Sequence, residues 1–128
     1  MTATLGRLGL LEARLLIVAG VTNHVRLLWV RNILRPDGSR AAVPVDLTGW
    51  TPRLQLRRDG KVLADLSDCV TLDAQGHVDI HITDERSSTL PTSAGAWDLL
   101  LESPQGDVTR LVYGEWQVTG AISRKELS

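Results

Sequence analysis

Phenylalanine is missing from this chain, and tyrosine and cysteine occur once each. With so few rings, Trp29, Trp50, Trp97 and Trp116 carry nearly all the aromatic volume and are the expected packing anchors of a core or an interface. The lone Cys69 excludes an internal disulfide and a cysteine-rich zinc site, and it reads as a small buried hydrophobe. No apolar run reaches the roughly 18 residues that a membrane span needs. The nearest, Leu8 to Val21, is interrupted by Glu12 and Arg14 and lacks a leader-peptide pattern, so a soluble protein made in the cytoplasm is expected. An excess of one sign of charge is also missing: the formal net charge is -1, which argues against a dedicated nucleic-acid binder.

The charge is unevenly spread, however. Residues 1–61 hold ten Lys/Arg against four Asp/Glu, whereas residues 62–128 hold four against eleven. In a fold whose halves interleave, such charges neutralise locally; the alternative is a polar molecule whose basic face meets the acidic face of a neighbouring copy. What is present otherwise is ordinary. The 128 residues suit one domain, and 43% hydrophobic with 23% charged residues matches soluble globular proteins.

Period-two alternation dominates, with turn residues at short intervals, as half-buried strands require. Strands are expected at Ala13–Val18, Val25–Arg31, Trp50–Leu56, Val62–Leu66, Val70–Leu72, His77–Ile82, Gly95–Glu102 and Val108–Tyr113, with Glu115–Thr119 following a break at Gly114. Turns are expected at residues 19–23, 36–39, 58–61, 73–76 and 103–106. Pro52 donates no ladder hydrogen bond, which places the start of its strand near an edge. Thr83 followed by Asp84 and Glu85 reads as the capped start of a short helical turn over about residues 84–89, ending before Pro91. Leu8 to Val21 has a helical alternative, with Leu8, Leu11, Leu15 and Val18 on one stripe. The expectation is an all-β, immunoglobulin-like antiparallel sandwich of seven to nine short strands, with an N-terminal arm over residues 1–9, the sandwich over 10–120 and a polar tail over 121–128.

The motifs follow a definite order. Gly20-Val21-Thr22 precedes Asp46-Leu47-Thr48-Gly49-Trp50, which leads into an Arg-bearing strand and a Gly hairpin; Ile82-Thr83-Asp84-Glu85 comes next. The ending is Ala96-Trp97-Asp98-Leu99-Leu100-Leu101-Glu102, Gly106-Asp107-Val108-Thr109-Arg110-Leu111 and Gly114-Glu115-Trp116-Gln117-Val118. This order, over about residues 20–120, resembles a family of small tailed-bacteriophage virion proteins, some of which are similar to the N-terminal domain of baseplate upper proteins. Val21 and Trp97 stand where the family pattern has an acidic residue and a tyrosine. The resemblance implies a virion structural protein of the tail or baseplate, with other virion proteins and copies of itself as partners.

Chemistry has little to stand on in this sequence. His77, Asp79 and His81 share one strand face at two-residue spacing, which is able to offer a metal two imidazoles and a carboxylate, but the same alternation makes them the wet side of a half-buried strand. Asp84, Glu85, Asp98 and Glu102 lack the spacing of a glycosidase pair, and the turn aspartates Asp37, Asp73 and Asp107 each offer one acid where calcium needs several oxygens. With no phosphate loop or nucleophile elbow, no catalytic residue, metal or cofactor is expected, nor a nucleic-acid or membrane partner. The candidate contact residues are Leu8, Leu11, Leu15, Trp29, Trp50, Trp97 and Trp116, with Leu8 to Ile17 as a docking element or an ordinary core strand. The alternatives are a capsid-decoration or head-tail connector component, and a carbohydrate-binding adsorption module in which Trp50 and Trp97 face out.

Overall fold

The central strand of the molecule is a ten-residue run, SAGAWDLLLE, in which Trp97, Leu99 and Leu101 are buried while their neighbours are half-buried or exposed. Around it the computed structural model describes residues 11–121. The expected arm over residues 1–9, with its contact candidate Leu8, and the tail beyond Ala121 lie outside the described residues. Eleven strands appear: β1 (Leu11–Glu12), β2 (Leu15–Ala19), β3 (Asn23–Leu28), β4 (Val30–Leu34), β5 (Arg40–Pro44), β6 (Thr51–Arg58), β7 (Lys61–Asp65), β8 (Val70–Leu72), β9 (His77–Ile82), β10 (Ser93–Glu102) and β11 (Val108–Gly120). A 3-10 turn spans Ser67–Cys69, and one short helix, α1, spans Asp84–Ser88.

The described residues are therefore all-β, in three sheets. The largest runs β1-β11-β10-β6-β7, with β2 also paired to β11; a second has the order β3-β9-β8; β4 and β5 form a separate ribbon. β10 pairs antiparallel with β6 and β11, whereas β1 and β2 run parallel to β11. The apolar faces of the two larger sheets meet in one cluster. Leu54, Leu56, Leu99, Leu101, Trp97 and Trp116 come from the large sheet, and Val78, Ile80 and Ile82 from β9. Both deeply buried indoles of the large sheet keep a hydrogen-bond partner, as burial of an N–H demands. Trp97 Nε1 donates to the Ala13 carbonyl at 3.0 Å and Trp116 Nε1 to the Arg57 carbonyl at 2.9 Å.

Several expectations need correction. The strand count exceeds seven to nine: β1 and β5 are additional, the two expected last strands are one, and Val25–Arg31 divides, because the Trp29 N–H leaves the ladder for the Gly76 carbonyl at 2.8 Å and the chain passes from one sheet to the ribbon there. No break occurs at Gly114; β11 continues through it, the interruption falls in the neighbouring segment that pairs parallel with it, and the β10–β11 register shifts between Leu99 and Leu100. A Cβ at Gly114 would stand 2.1 Å from the Ala13 carbonyl oxygen, so glycine permits the close approach and the first strand is interrupted between β1 and β2 instead. The helical alternative for the early Leu-rich segment fails within the described residues, where β1 and β2 are extended. Strand β6 is interior, between β10 and β7; yet β7 pairs only with Gln55 to Arg58, so Pro52 lies where β6 has one neighbour.

Other local readings hold for physical reasons already given. Asp59 and Gly60 both have positive φ, 52° and 76°, the conformation of the two-residue hairpin turn that matches strand twist. Thr83 caps α1, its side chain accepting the Arg86 N–H at 3.1 Å. The buried Ser87 ties that helix to the turn after β2: its hydroxyl donates to the Val21 carbonyl at 2.7 Å and accepts the Gly20 N–H at 3.0 Å.

Truncation of Leu99, fully buried where β6, β10 and β11 run side by side, is expected to cost about 3 kcal/mol in urea unfolding as Leu99→Ala, from lost transfer energy and the cavity left. Leu16→Ala, on a side chain 60% exposed, should cost less than about 0.5 kcal/mol in the same measurement.

Candidate interaction surface

Ribbon β4–β5 has no layer over either face. Of its ten strand residues only Val30 and Ala41 are half-buried; the rest are exposed, including Ile33 (45%), Leu34 (67%) and Val43 (40%). Cross-strand partners share a face, so the register puts Arg31, Val43, Ile33 and Ala41 on one side and Val30, Pro44, Asn32, Ala42, Leu34 and Arg40 on the other. Each side thus mixes apolar groups with arginine.

The ribbon is anchored at its base and closed at its tip. At the base Trp29 and Val45 are buried, and the Val45 N–H donates to the Trp29 carbonyl at 3.0 Å. Gly76, at φ +82°, packs beneath them; a Cβ there would come 2.5 Å from the Trp29 carbonyl oxygen. Trp50 meets Trp29 edge-on, with ring centroids 5.5 Å apart, and the Arg31 guanidinium lies 5.8 Å from the Trp29 ring. At the tip, the Arg35 N–H donates to the Ser39 carbonyl at 2.8 Å and the Gly38 N–H to the Arg35 carbonyl at 2.9 Å, a three-residue loop with Gly38 at positive φ. Asp37 accepts the Ser39 hydroxyl and N–H, which hold its carboxyl below the usual range.

Charge on the ribbon is positive. Arg31, Arg35 and Arg40 are exposed, and no carboxylate among the described residues pairs with them. Carboxylates gather instead in the loops at the ribbon's base. Asp46 accepts the Thr48 hydroxyl and N–H, and Asp73 accepts the backbone N–H groups of His77 and Gln75 and pairs with His77 Nδ1 at 2.9 Å. These bonds hold both carboxyls below their ordinary values, so both are anionic at neutral pH. The two loops are joined by the Leu47 N–H, which donates to the Asp73 carbonyl at 3.1 Å.

The residues singled out from the sequence sit elsewhere. Leu15, Trp29, Trp97 and Trp116 are core side chains, 1–6% exposed, while Leu11 and Trp50 are half-buried against the same core. The indole of Trp97 thus faces in. His77, Asp79 and His81 do lie on the wet face of β9, but they do not converge: His77 pairs with Asp73, whereas Asp79 (3.2 Å) and His81 (ring centroids 5.5 Å) both meet His24, and Asp79 also pairs with Arg26 (3.3 Å). Among the described residues no three histidine, cysteine or acidic side chains are grouped to hold a metal. Asp98 is paired with Arg110 at 3.3 Å. Burial pushes the Cys69 thiol up, away from a reactive thiolate. No helix among them is long and apolar enough to cross a membrane. Sequence reasoning missed the ribbon because Val30 to Leu34 does not alternate; the available signal was the adjacent pair Ile33-Leu34 beside a strong turn.

Compared with known protein families and with curated proteins, the chain matches none.

Two outcomes follow for this surface. Ile33→Ser with Leu34→Ser should leave the unfolding free energy of the isolated chain, measured in urea, within about 0.5 kcal/mol of wild type, since neither side chain enters the core. Asp73, whose folded pKa lies below its ordinary 3.8, contributes stability that is full above that value and lost as pH falls through the lower folded value. Urea midpoints measured from about pH 4.5 down to pH 2.5 should therefore fall less steeply in Asp73→Asn than in wild type.

Proposed function

We propose that this chain is a non-enzymatic structural subunit of a tailed-bacteriophage virion, an immunoglobulin-like sandwich in the tail or baseplate that works through repeated contacts with copies of itself and with other virion proteins. The contact role is carried by one observation: the β4–β5 ribbon exposes Ile33, Leu34 and Val43 with three arginines and covers none of the core. Exposed apolar groups on an unsupported two-stranded ribbon contribute little to folding, because such a pair is marginal alone and gains its order from what it touches.

The fold assignment draws on strand order. An immunoglobulin variable-type domain sets strands G, F, C and C′ in one sheet and B, E and D in the other. Here β11-β10-β6-β7 and β3-β9-β8 follow the same succession, and the ribbon occupies the B–C connection. The parallel edge strands β1 and β2 flank the G position. Membership in a virion rests on the order of motifs from Gly20 to Val118. A sugar-reading role has less support, because Trp97 is turned inward and Trp50 packs against Trp29.

The test is electron microscopy of particles of the phage that encodes the chain, labelled with an antibody fragment raised against it. Regularly spaced label on the tail or baseplate is expected; label confined to the head would move the subunit to the capsid, and bare particles would overturn the virion reading.

A further inference from the structure

Aspartate followed by glycine occurs twice in this chain, at Asp37-Gly38 and Asp59-Gly60, and both pairs sit exposed at turns. The dipeptide carries its own chemistry. A glycine amide nitrogen, with no side chain to shield it, reaches the carboxyl carbon of the aspartate before it and closes a five-membered imide. Two things govern this in a folded chain: whether the glycine N–H and the carboxyl are already engaged, and whether the backbone between them is free to turn.

The two pairs differ on both counts. The Gly38 N–H donates to the Arg35 carbonyl at 2.9 Å, and one Asp37 oxygen accepts the Ser39 hydroxyl at 2.6 Å and the Ser39 N–H at 2.9 Å. Those bonds hold the Asp37 carboxyl below its usual range, which favours the carboxylate over the neutral acid that the nitrogen attacks. At the second pair the Gly60 N–H has no hydrogen-bond partner among the described residues, and the Asp59 side chain, 90% exposed, meets only the Arg58 guanidinium, at 3.8 Å. Asp59 is also the one non-glycine residue with positive φ among the described residues, so leaving that conformation relieves strain. Behind the turn the tether is short. The pairs Arg58–Lys61 and Arg57–Val62 are followed by a register shift between Leu56 and Arg57, and Val62 and Leu63 are exposed, so the tip opens without disturbing the core.

We infer that Asp59-Gly60 is a site of spontaneous aspartyl isomerisation in the folded protein, and that the fold protects Asp37-Gly38 from the same reaction. The step balances without a co-reactant. The Gly60 nitrogen bonds to Asp59 Cγ, its proton and the carboxyl hydroxyl leave together as water, and the imide is formed. Water then opens the ring. Attack at Cγ restores aspartate, whereas attack at the Asp59 backbone carbonyl carbon leaves Gly60 joined through the side-chain carboxyl, an isoaspartate with a free α-carboxylate. The main chain is thereby one methylene longer within a two-residue turn, which removes the backbone geometry that matches strand twist and breaks the Arg58–Lys61 pairing. The new α-carboxylate belongs to the substrate class of carboxyl methyltransferases that use S-adenosylmethionine.

The test is ageing of the full chain, folded and in urea, in mildly acidic buffer, followed by peptide mapping with electron-transfer fragmentation, which separates aspartate from isoaspartate at each position. Circular dichroism establishes which samples are folded. In urea the two pairs should isomerise at similar rates, since only the dipeptide and its neighbours remain. In the folded chain Asp59 should isomerise about tenfold or more faster than Asp37, the equivalent of one or two of the hydrogen bonds that hold Asp37 and Gly38. Ser39→Ala, which takes one of those bonds from the Asp37 carboxyl at an exposed position, should speed isomerisation at Asp37 and leave Asp59 unchanged. Methyl transfer from labelled S-adenosylmethionine by an isoaspartyl methyltransferase gives a second readout: aged folded wild type should take up label, and aged Asp59→Glu, whose longer side chain closes an imide far more slowly, should lose most of it. Equal rates at the two pairs in the folded chain, or a faster rate at Asp37, overturn the assignment.

Discussion

Alternate burial along β10, flanked by β6 and β11, is the constraint on which the rest of this molecule depends. Trp97, Leu99 and Leu101 point to one side of an extended strand with neighbours on both edges, so Leu54, Leu56, Val112 and Trp116 must arrive on that same side. Full burial of each such side chain is worth roughly 1.5–3 kcal/mol, so a one-residue slip of β10 would forfeit several of them together. Two glycines keep the register feasible. At Gly95 a Cβ would stand 2.1 Å from the Arg57 carbonyl, the same oxygen that accepts the Trp116 indole N–H, and at Gly114 the chain admits the carbonyl of Ala13.

From that frame the ribbon follows as a matter of anchoring. Trp29 and Val45 are held in the core, which fixes where two strands leave and return, while everything between them is free of the core. Burial at the base and exposure beyond it set the ribbon apart from the two packed sheets.

The histidine face of β3-β9-β8 shows how a suggestive pattern is resolved by geometry. Spacing puts His77, Asp79 and His81 on one face, yet His77 turns to the aspartate of its own turn, while Asp79 and His81 both meet His24 across the strand and Asp79 also holds Arg26. Period two governs only which side of a strand a residue takes. The third neighbour needed for ligation has to come from another strand, and pairing places His24 and Arg26 there.

Much of the fold was legible because its signals are local. Alternation in His77–Ile82 and Gly95–Glu102, the positive-φ turns at Gly38, Gly60 and Gly76, and the Thr83 cap each depend on a few neighbouring residues, and the structure places them where those residues imply. The uncovered ribbon was not legible in this way. Large apolar residues such as Trp116 and Leu15 look alike in sequence whether they fill a core or meet a partner, and only the pairing of β2, β10 and β11 turned them inward. By itself the amino-acid order determined strand character, turn positions and the helical cap, since backbone conformation responds to near neighbours. Tertiary structure alone decided that Trp29 ends a strand, that β11 passes unbroken through Gly114, and that Ile33, Leu34 and Val43 stand uncovered, because burial depends on which distant segments come to lie across each face.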